Sequence, residues 1–195
     1  MSMTPAARDE LQACIQSGFY SKEYLVERYI ESYEDDRVAA EVEAMYDEVW
    51  PQVLDASAAW ERPLDSDRLL EVFARLKSRA IVALPNTGYT QSDGIQDCVE
   101  EAHTLDVPWS VKGYCFFHEQ DLVRAVRGEG LHLAYGAMTD VENAVHGTVI
   151  GRVVEEELKA SGFAVEWDGT LESRIFIPHF QWRPTEALLD MRKED

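Results

Sequence analysis

Three short segments of the chain concentrate side chains that can bind a ligand or move a proton. The first is the loop 86–94, which follows a predicted strand, precedes a predicted helix and contains Tyr89, Gln91 and Asp93. Loops at the carboxyl ends of strands in α/β sheets are frequent ligand sites. Asp93 is equally suited to capping the helix, so the pattern is compatible with a binding loop and with a purely structural one.

The second segment is 118–121, which reads His-Glu-Gln-Asp at the end of another predicted strand. His118 can act as a general acid or base if a carboxylate from Glu119 or Asp121 orients its ring, and Gln120 adds an amide. Acidic residues in the first turn of a helix also stabilise the helix dipole without any further role. The acids therefore fit capping better than chemistry, whereas His118 is harder to explain in an otherwise apolar strand.

The third segment is aromatic. Trp167 begins a Trp-Asp-Gly turn, with Arg174, Trp182 and Arg183 nearby in the sequence. Tyr135, at the end of a predicted strand, is a further candidate for binding. Aromatic rings beside guanidinium groups often form binding or interface surfaces. A hairpin that packs its own tryptophan is the commoner explanation.

The sequence contains no complete catalytic or cofactor motif. It lacks the phosphate-binding G-x-x-x-x-G-K-[ST], the dinucleotide-binding G-x-G-x-x-G, the G-x-S-x-G elbow and H-E-x-x-H. The histidines and the three cysteines, Cys14, Cys98 and Cys115, do not have the spacing of a zinc site. We therefore assign no catalytic residue, metal or cofactor, and leave open whether the protein is an enzyme.

Three motifs occur in order along the chain: GYCFFHEQD at 113–121, GLHLAYG at 130–136, and VEWDG at 165–169 followed by Arg174 and Ile175. This set resembles an uncharacterised bacterial family defined as a domain of unknown function. The resemblance covers about residues 69–183 and does not include the N-terminal segment. It implies no activity.

The elements that position these segments fall into two parts. Residues 1–62 read as amphipathic helices, with Thr4 and Ser21 as caps, Gly18 as a stop, and a helix bent or restarted at Pro51. Residues 63–195 alternate short strands with helices; strands are predicted at 80–84, 114–117, 131–135, 163–167 and 174–177. We predict an α+β fold, with a helical N-terminal segment followed by a mixed α/β sheet domain.

The charge restricts the class of partner. Thirty-seven acidic residues against eighteen basic ones give a net charge of -19, which repels nucleic acid and anionic lipid and attracts basic partners. Acidity that serves only solubility, or adaptation to a salty habitat, is the alternative. No signal peptide or apolar span is visible, and the odd number of cysteines fits a reducing compartment, so we expect a cytoplasmic protein.

These observations favour a non-enzymatic binding protein, such as an inhibitor or immunity-type protein that covers a basic partner. The alternative is a sensor or hydrolase-like enzyme that binds a small molecule between the 86–94 and 118–121 loops, with His118 as its acid–base group. That alternative requires the two loops to be close in space. A structural homodimer through exposed aromatic residues is a third possibility.

Overall fold

A computed structural model describes residues 2–106, 110–138 and 143–191, with side chains in the last range described from residue 146. These residues form eight α-helices and a four-stranded sheet. The predicted α+β class, with its helical N-terminus, is confirmed. The chain divides into two compact units: residues 2–66 with 182–191, and residues 67–181. The predicted division at residue 62 lies close to the first boundary, but it did not anticipate that the C-terminal segment joins the N-terminal helices.

The first unit is built from three helices and a short C-terminal one. Their bounds are α1 Pro5–Ser17, α2 Lys22–Tyr33, α3 Ala39–Ser57 and, after the second unit, α8 Glu186–Leu189. Helices α1 and α2 both pack on α3. Apolar side chains on one stripe of each helix, such as Leu11, Leu25 and Val42, are fully buried there.

Local signals set both ends of α1 and the start of α2 as predicted. The Thr4 hydroxyl accepts a hydrogen bond from the Ala7 amide at 3.2 Å, and the Ser21 hydroxyl accepts one from Tyr24 at 3.0 Å. Gly18 ends α1 at a φ of 78°, where a side chain would be strained. Of the two predictions for Pro51, the restart is wrong, because α3 continues through that residue, and the bend stays a prediction.

The second unit holds the sheet. Its elements in chain order are α4 Asp65–Ser78, β1 Ile81–Leu84, α5 Gln91–Thr104, β2 Gly113–Phe116, α6 Glu119–Val126, β3 Leu131–Ala137, α7 Asn143–Ala160 and β4 Ile175–Ile177. The strand order is β1-β2-β3-β4. Strand β1 runs parallel to β2, and the other two neighbouring pairs are antiparallel. The sheet is therefore mixed.

Helices cover both faces of this sheet. On one face, α5 approaches so closely that a Cβ added at Gly94 would lie 2.3 Å from the Phe116 ring. On the other face, α7 places Ile150 against Gly113 and Gly151 against Tyr135. Side chains of alternate strand residues point to these two faces in turn. The core thus has two layers, one on each side of the strands.

Two predicted strand limits are wrong. Strand β3 continues past Gly136 because the Tyr114 ring on the neighbouring strand lies over that residue, where a Cβ would be 2.4 Å from the Tyr114 hydroxyl. The predicted strand 163–167 makes a single bridge, Glu166 to Phe176, with hydrogen bonds of 2.9 and 3.0 Å. Its ladder stops there because Asp168 and Gly169 turn the chain immediately afterwards.

Candidate functional site

The loops that follow β1 and β2 lie side by side. The Thr87 amide donates to the Phe117 carbonyl at 3.1 Å, and the Glu119 amide donates to the Gly88 carbonyl at 3.1 Å. Parallel pairing of β1 and β2 is the reason, since it brings their carboxyl ends to the same edge of the sheet. The structure therefore joins the first two of the three predicted segments.

Within the first loop, Asp93 helps to cap α5. Thr90 is the N-cap residue, and the Asp93 carboxylate accepts hydrogen bonds from the Thr90 amide at 2.9 Å and from its hydroxyl at 2.8 Å. These bonds from Thr90 lower the pKa of Asp93. Tyr89 and Gln91 are exposed on the same loop, so they are accessible to a ligand.

His118 is the N-cap residue of α6. Its Nδ1 accepts the Asp121 amide proton at 3.3 Å, so the ring proton resides on Nε2, which lies 3.1 Å from Asp121 Oδ2. The His118 ring is buried, and burial lowers its pKa despite the opposing effect of the Asp121 charge. Because the capping bond occupies the Nδ1 lone pair, His118 in this arrangement is a capping residue rather than a general base.

Asp121 is the centre of an ion-pair cluster at the start of α6. Its side chain is 0% exposed, and Arg174 Nη1 donates to both carboxylate oxygens at 2.8 Å. Arg124, one helical turn further on, places its Nη1 3.4 Å from Asp121 Oδ1. A buried carboxylate requires such partners to remain charged. Gln120, beside it on α6, is partly exposed.

His132 on β3 lies beside this cluster. Its ring stacks on Phe176 with centroids 4.3 Å apart, and its Nδ1 is buried without a hydrogen-bond partner in the described part of the chain. Burial lowers the pKa of His132, and the Arg174 charge lowers it further. The sequence interpretation did not single out His132 or Arg124. Only Arg124 carried a usable signal, its position three residues after Asp121 on a predicted helix.

Tyr135 and Trp167 form a separate aromatic group on the opposite face of β3 from His132, as the alternation of strand residues requires. The Trp167 indole donates to the Tyr135 hydroxyl at 2.9 Å, which itself donates to the Thr170 carbonyl at 2.6 Å. The two rings meet edge to face with centroids 5.4 Å apart. Each of these contacts supports the turn at 168–170, so the two residues stabilise the protein's own chain, and a binding role for them stays a prediction.

The next feature is the arrangement of the side chains that could bind a metal ion. Among the described residues, no group of three or more His, Cys, Asp and Glu side chains is arranged to hold one. Burial raises the pKa of Cys98 to about 12 and raises that of Cys115 as well, so both thiols stay protonated at neutral pH.

A cavity of about 260 Å³ lies at the other end of β1. Ala80, Ile81 and Val111 line it, with Lys77 and Glu101 also in its wall. None of the predicted site residues lines it. Within the described parts of the chain, no helix is both long and apolar enough to cross a lipid bilayer.

The fold and the cluster together define a helical segment joined to an α+β domain with a buried carboxylate–arginine centre. The chain belongs to the protein family described as a domain of unknown function, DUF6891, whose model matches residues 2–185. This match includes the N-terminal helices, which the three sequence motifs did not. No curated protein and no solved structure matches the chain.

Proposed function

We propose that this protein binds a basic protein partner through the exposed side of α3, as an inhibitor or immunity-type protein would. Helix α3 contains five acidic residues and no basic one. Its buried side, with Val42 and Tyr46, packs within the first unit. Four of the acids form an exposed strip, which we call the acidic face: Glu43, Asp47, Glu48 and Asp55.

The observation that carries this proposal is the shortage of internal counter-charges on the acidic face. Asp47 pairs with Lys22 at 2.9 Å, and the adjacent Glu41 pairs with Arg8 at 2.7 Å. Glu43, Glu48 and Asp55 are exposed and form no ion pair within the described residues. Unneutralised like charges on one surface accelerate association with an oppositely charged protein.

The test is a comparison of two charge-reversed variants as affinity baits in a lysate of the source cell. One variant carries E43K, E48K and D55K, which spare the Glu41 and Asp47 ion pairs. Its matched control changes three exposed acids of the second unit by the same amount of charge: E129K, E156K and E172K. Captured proteins are quantified by mass spectrometry at low and high salt.

We expect the native chain and the control variant to capture one basic protein in a fixed ratio. The α3 variant should not capture this protein, and high salt should release it from the other two baits. Association measured with that purified partner should slow by at least about tenfold for the α3 variant at low salt. Equal capture by all three baits would contradict the proposal. If both variants failed to capture the partner, the proposal would also be contradicted, because the net charge of the protein rather than the acidic face would then determine binding.

A second candidate function is binding of a small molecule at the joined 86–94 and 118–121 loops, and the two hydrogen bonds between these loops favour it. Its test is a thermal-shift screen of metabolites with the native chain, followed by Tyr89→Ala and Gln91→Ala. Both side chains are exposed, so their removal should leave the fold intact. A metabolite that raises the melting temperature of the native chain but not that of these variants supports the second function. Metabolites that raise the melting temperature of both variants as much as that of the native chain contradict it.

A further inference from the structure

The cluster around Asp121 carries an excess of positive charge in a strongly acidic protein. Arg124 and Arg174 both place Nη1 next to the same Asp121 oxygen, so their guanidinium groups are neighbours. One carboxylate balances only one of these two cations. A local cationic site is unexpected in a chain of net charge -19.

Most donors of both guanidinium groups remain unused. Each arginine binds Asp121 through Nη1 alone, so within the described residues Nε and Nη2 of each have no protein acceptor. The two side chains are 43% and 26% exposed, whereas that of Asp121 is fully buried. The buried carboxylate thus binds two arginine side chains that are themselves partly exposed to solvent.

His132 adds a third nitrogen-bearing group on the same side of the sheet. It lies opposite Phe176 on the neighbouring strand, and Arg174 shares the Phe176 face because it stands two residues earlier. Stacking on Phe176 restricts the orientation of the imidazole ring. Two guanidinium groups that share one carboxylate and an imidazole whose buried Nδ1 has no partner within the described residues therefore belong to one side of the sheet.

We propose that Arg124, Arg174 and His132 form a binding site for a small oxyanion, a phosphate or carboxylate group carried by a small molecule. Guanidinium groups present paired N–H donors that match the oxygens of both anions, and a bound anion balances the second arginine. The buried Asp121 carboxylate holds Arg174 in place through two hydrogen bonds, which limits the entropy lost on binding. The site lies in the second unit and uses none of the acidic face, so it is independent of the proposed protein-binding function.

The experiment is an NMR titration of the full-length, ¹⁵N-labelled chain with inorganic phosphate and, separately, with acetate. Chloride keeps the ionic strength constant. The arginine Nε–H resonances and the His132 ring resonances report on the site. We expect saturable shifts of Arg124, Arg174 and His132, and the tighter of the two anions identifies whether phosphate or carboxylate is the natural group.

Two variants separate a specific site from general attraction to arginine. Arg124→Ala removes one guanidinium group that is largely at the surface, and it should weaken binding by about tenfold or more. Arg127→Ala removes an exposed arginine from the end of the same helix and should change the affinity by less than about twofold. Linear, non-saturating shifts for both anions, or equal weakening by the two variants, would overturn the proposal.

Discussion

At the scale of single residues, the chemistry of the molecule is concentrated in one buried carboxylate. Asp121 accepts hydrogen bonds from Arg174, lies 3.1 Å from His118 Nε2, and has Arg124 at the limit of contact. Desolvation makes a buried ion pair costly to break, since the remaining partner keeps its charge without compensation. The cluster therefore matters for stability whether or not it binds a ligand.

Replacing Asp121 with Asn should destabilise the protein by about 3 kcal/mol or more, because Arg174 and Arg124 then lose their buried counter-charge. Arg124→Ala, which removes a partly exposed partner, should cost less than about 1 kcal/mol. Urea unfolding with an unchanged m-value measures both differences. If the two variants lost similar amounts of unfolding free energy, the burial of Asp121 would not control the strength of its ion pairs.

The capping histidine makes stability depend on pH. The folded protein lowers the pKa of His118 below its ordinary value, so the unfolded chain binds more protons in mildly acidic solution. The contribution of His118 to the free energy of unfolding is complete above the pKa of about 6.5 that histidine has in the unfolded chain. It is lost as the pH falls from there towards the lower pKa of His118 in the folded protein.

We expect His118→Asn to reduce this loss of stability, because asparagine caps a helix but does not titrate. Urea unfolding at pH values of about 7.5 and 5.5 compares the two proteins. His132 remains in the variant, and since burial lowers the pKa of His132 too, part of the dependence should persist. If the stability of the variant changed with pH as much as that of the native protein, His118 would be excluded as a source of the pH dependence.

At the scale of elements, parallel pairing of β1 and β2 brings the two loops together, and the close approach of α5 to the sheet positions the first of them. Gly94 permits this approach, because any larger side chain would overlap the buried Phe116 ring. The loop 86–94 is thereby held against the end of β2, where its backbone bonds to Phe117 and Glu119 form. The candidate small-molecule site therefore depends on this helix–sheet contact as well as on the pairing of β1 with β2.

Gly94→Ala should destabilise the protein by about 1 to 3 kcal/mol, despite the higher helix propensity of alanine, because the new Cβ would overlap a ring that cannot move away. The control is Ser92→Ala on the exposed side of the same helical turn, with an expected change within about 0.5 kcal/mol. Thermal unfolding measures both. A stabilised Gly94→Ala protein would mean that the helix moves freely away from the sheet.

At the scale of the whole molecule, electrostatic self-repulsion opposes folding. A net charge of -19 on 195 residues creates unfavourable interactions that added salt screens. Buried pairs such as Asp121 with Arg174 are screened much less. Repulsion at the surface should therefore dominate the response of stability to salt.

The melting temperature should rise as sodium chloride increases from about 0.02 to about 0.3 M, over which range the screening length falls several-fold. The E43K, E48K and D55K variant should show a smaller rise, because it carries less negative charge on the same fold. Scanning calorimetry measures the two curves. A melting temperature that falls with salt in the native chain would show that favourable surface ion pairs outweigh the repulsion.

The sequence by itself determined the local structure and the class of fold. Thr4, Ser21 and Gly18 set helix ends through groups within a few residues of them, and short, largely apolar runs located β1, β2 and most of β3. Such signals depend on hydrogen bonds and burial along a single element, so a sequence displays them directly. The three motifs likewise indicated a family of unknown function.

Only the tertiary structure decided which polar residues meet. Arg174 reaches Asp121 across 53 residues of sequence, and His132 joins them because β3 pairs with β4 in one register. It also decided that His118 caps a helix, that Glu166 makes one bridge rather than a strand, and that residues 182–191 join the N-terminal helices. Strand register and helix packing are settled by the burial of the whole chain, which no local pattern encodes.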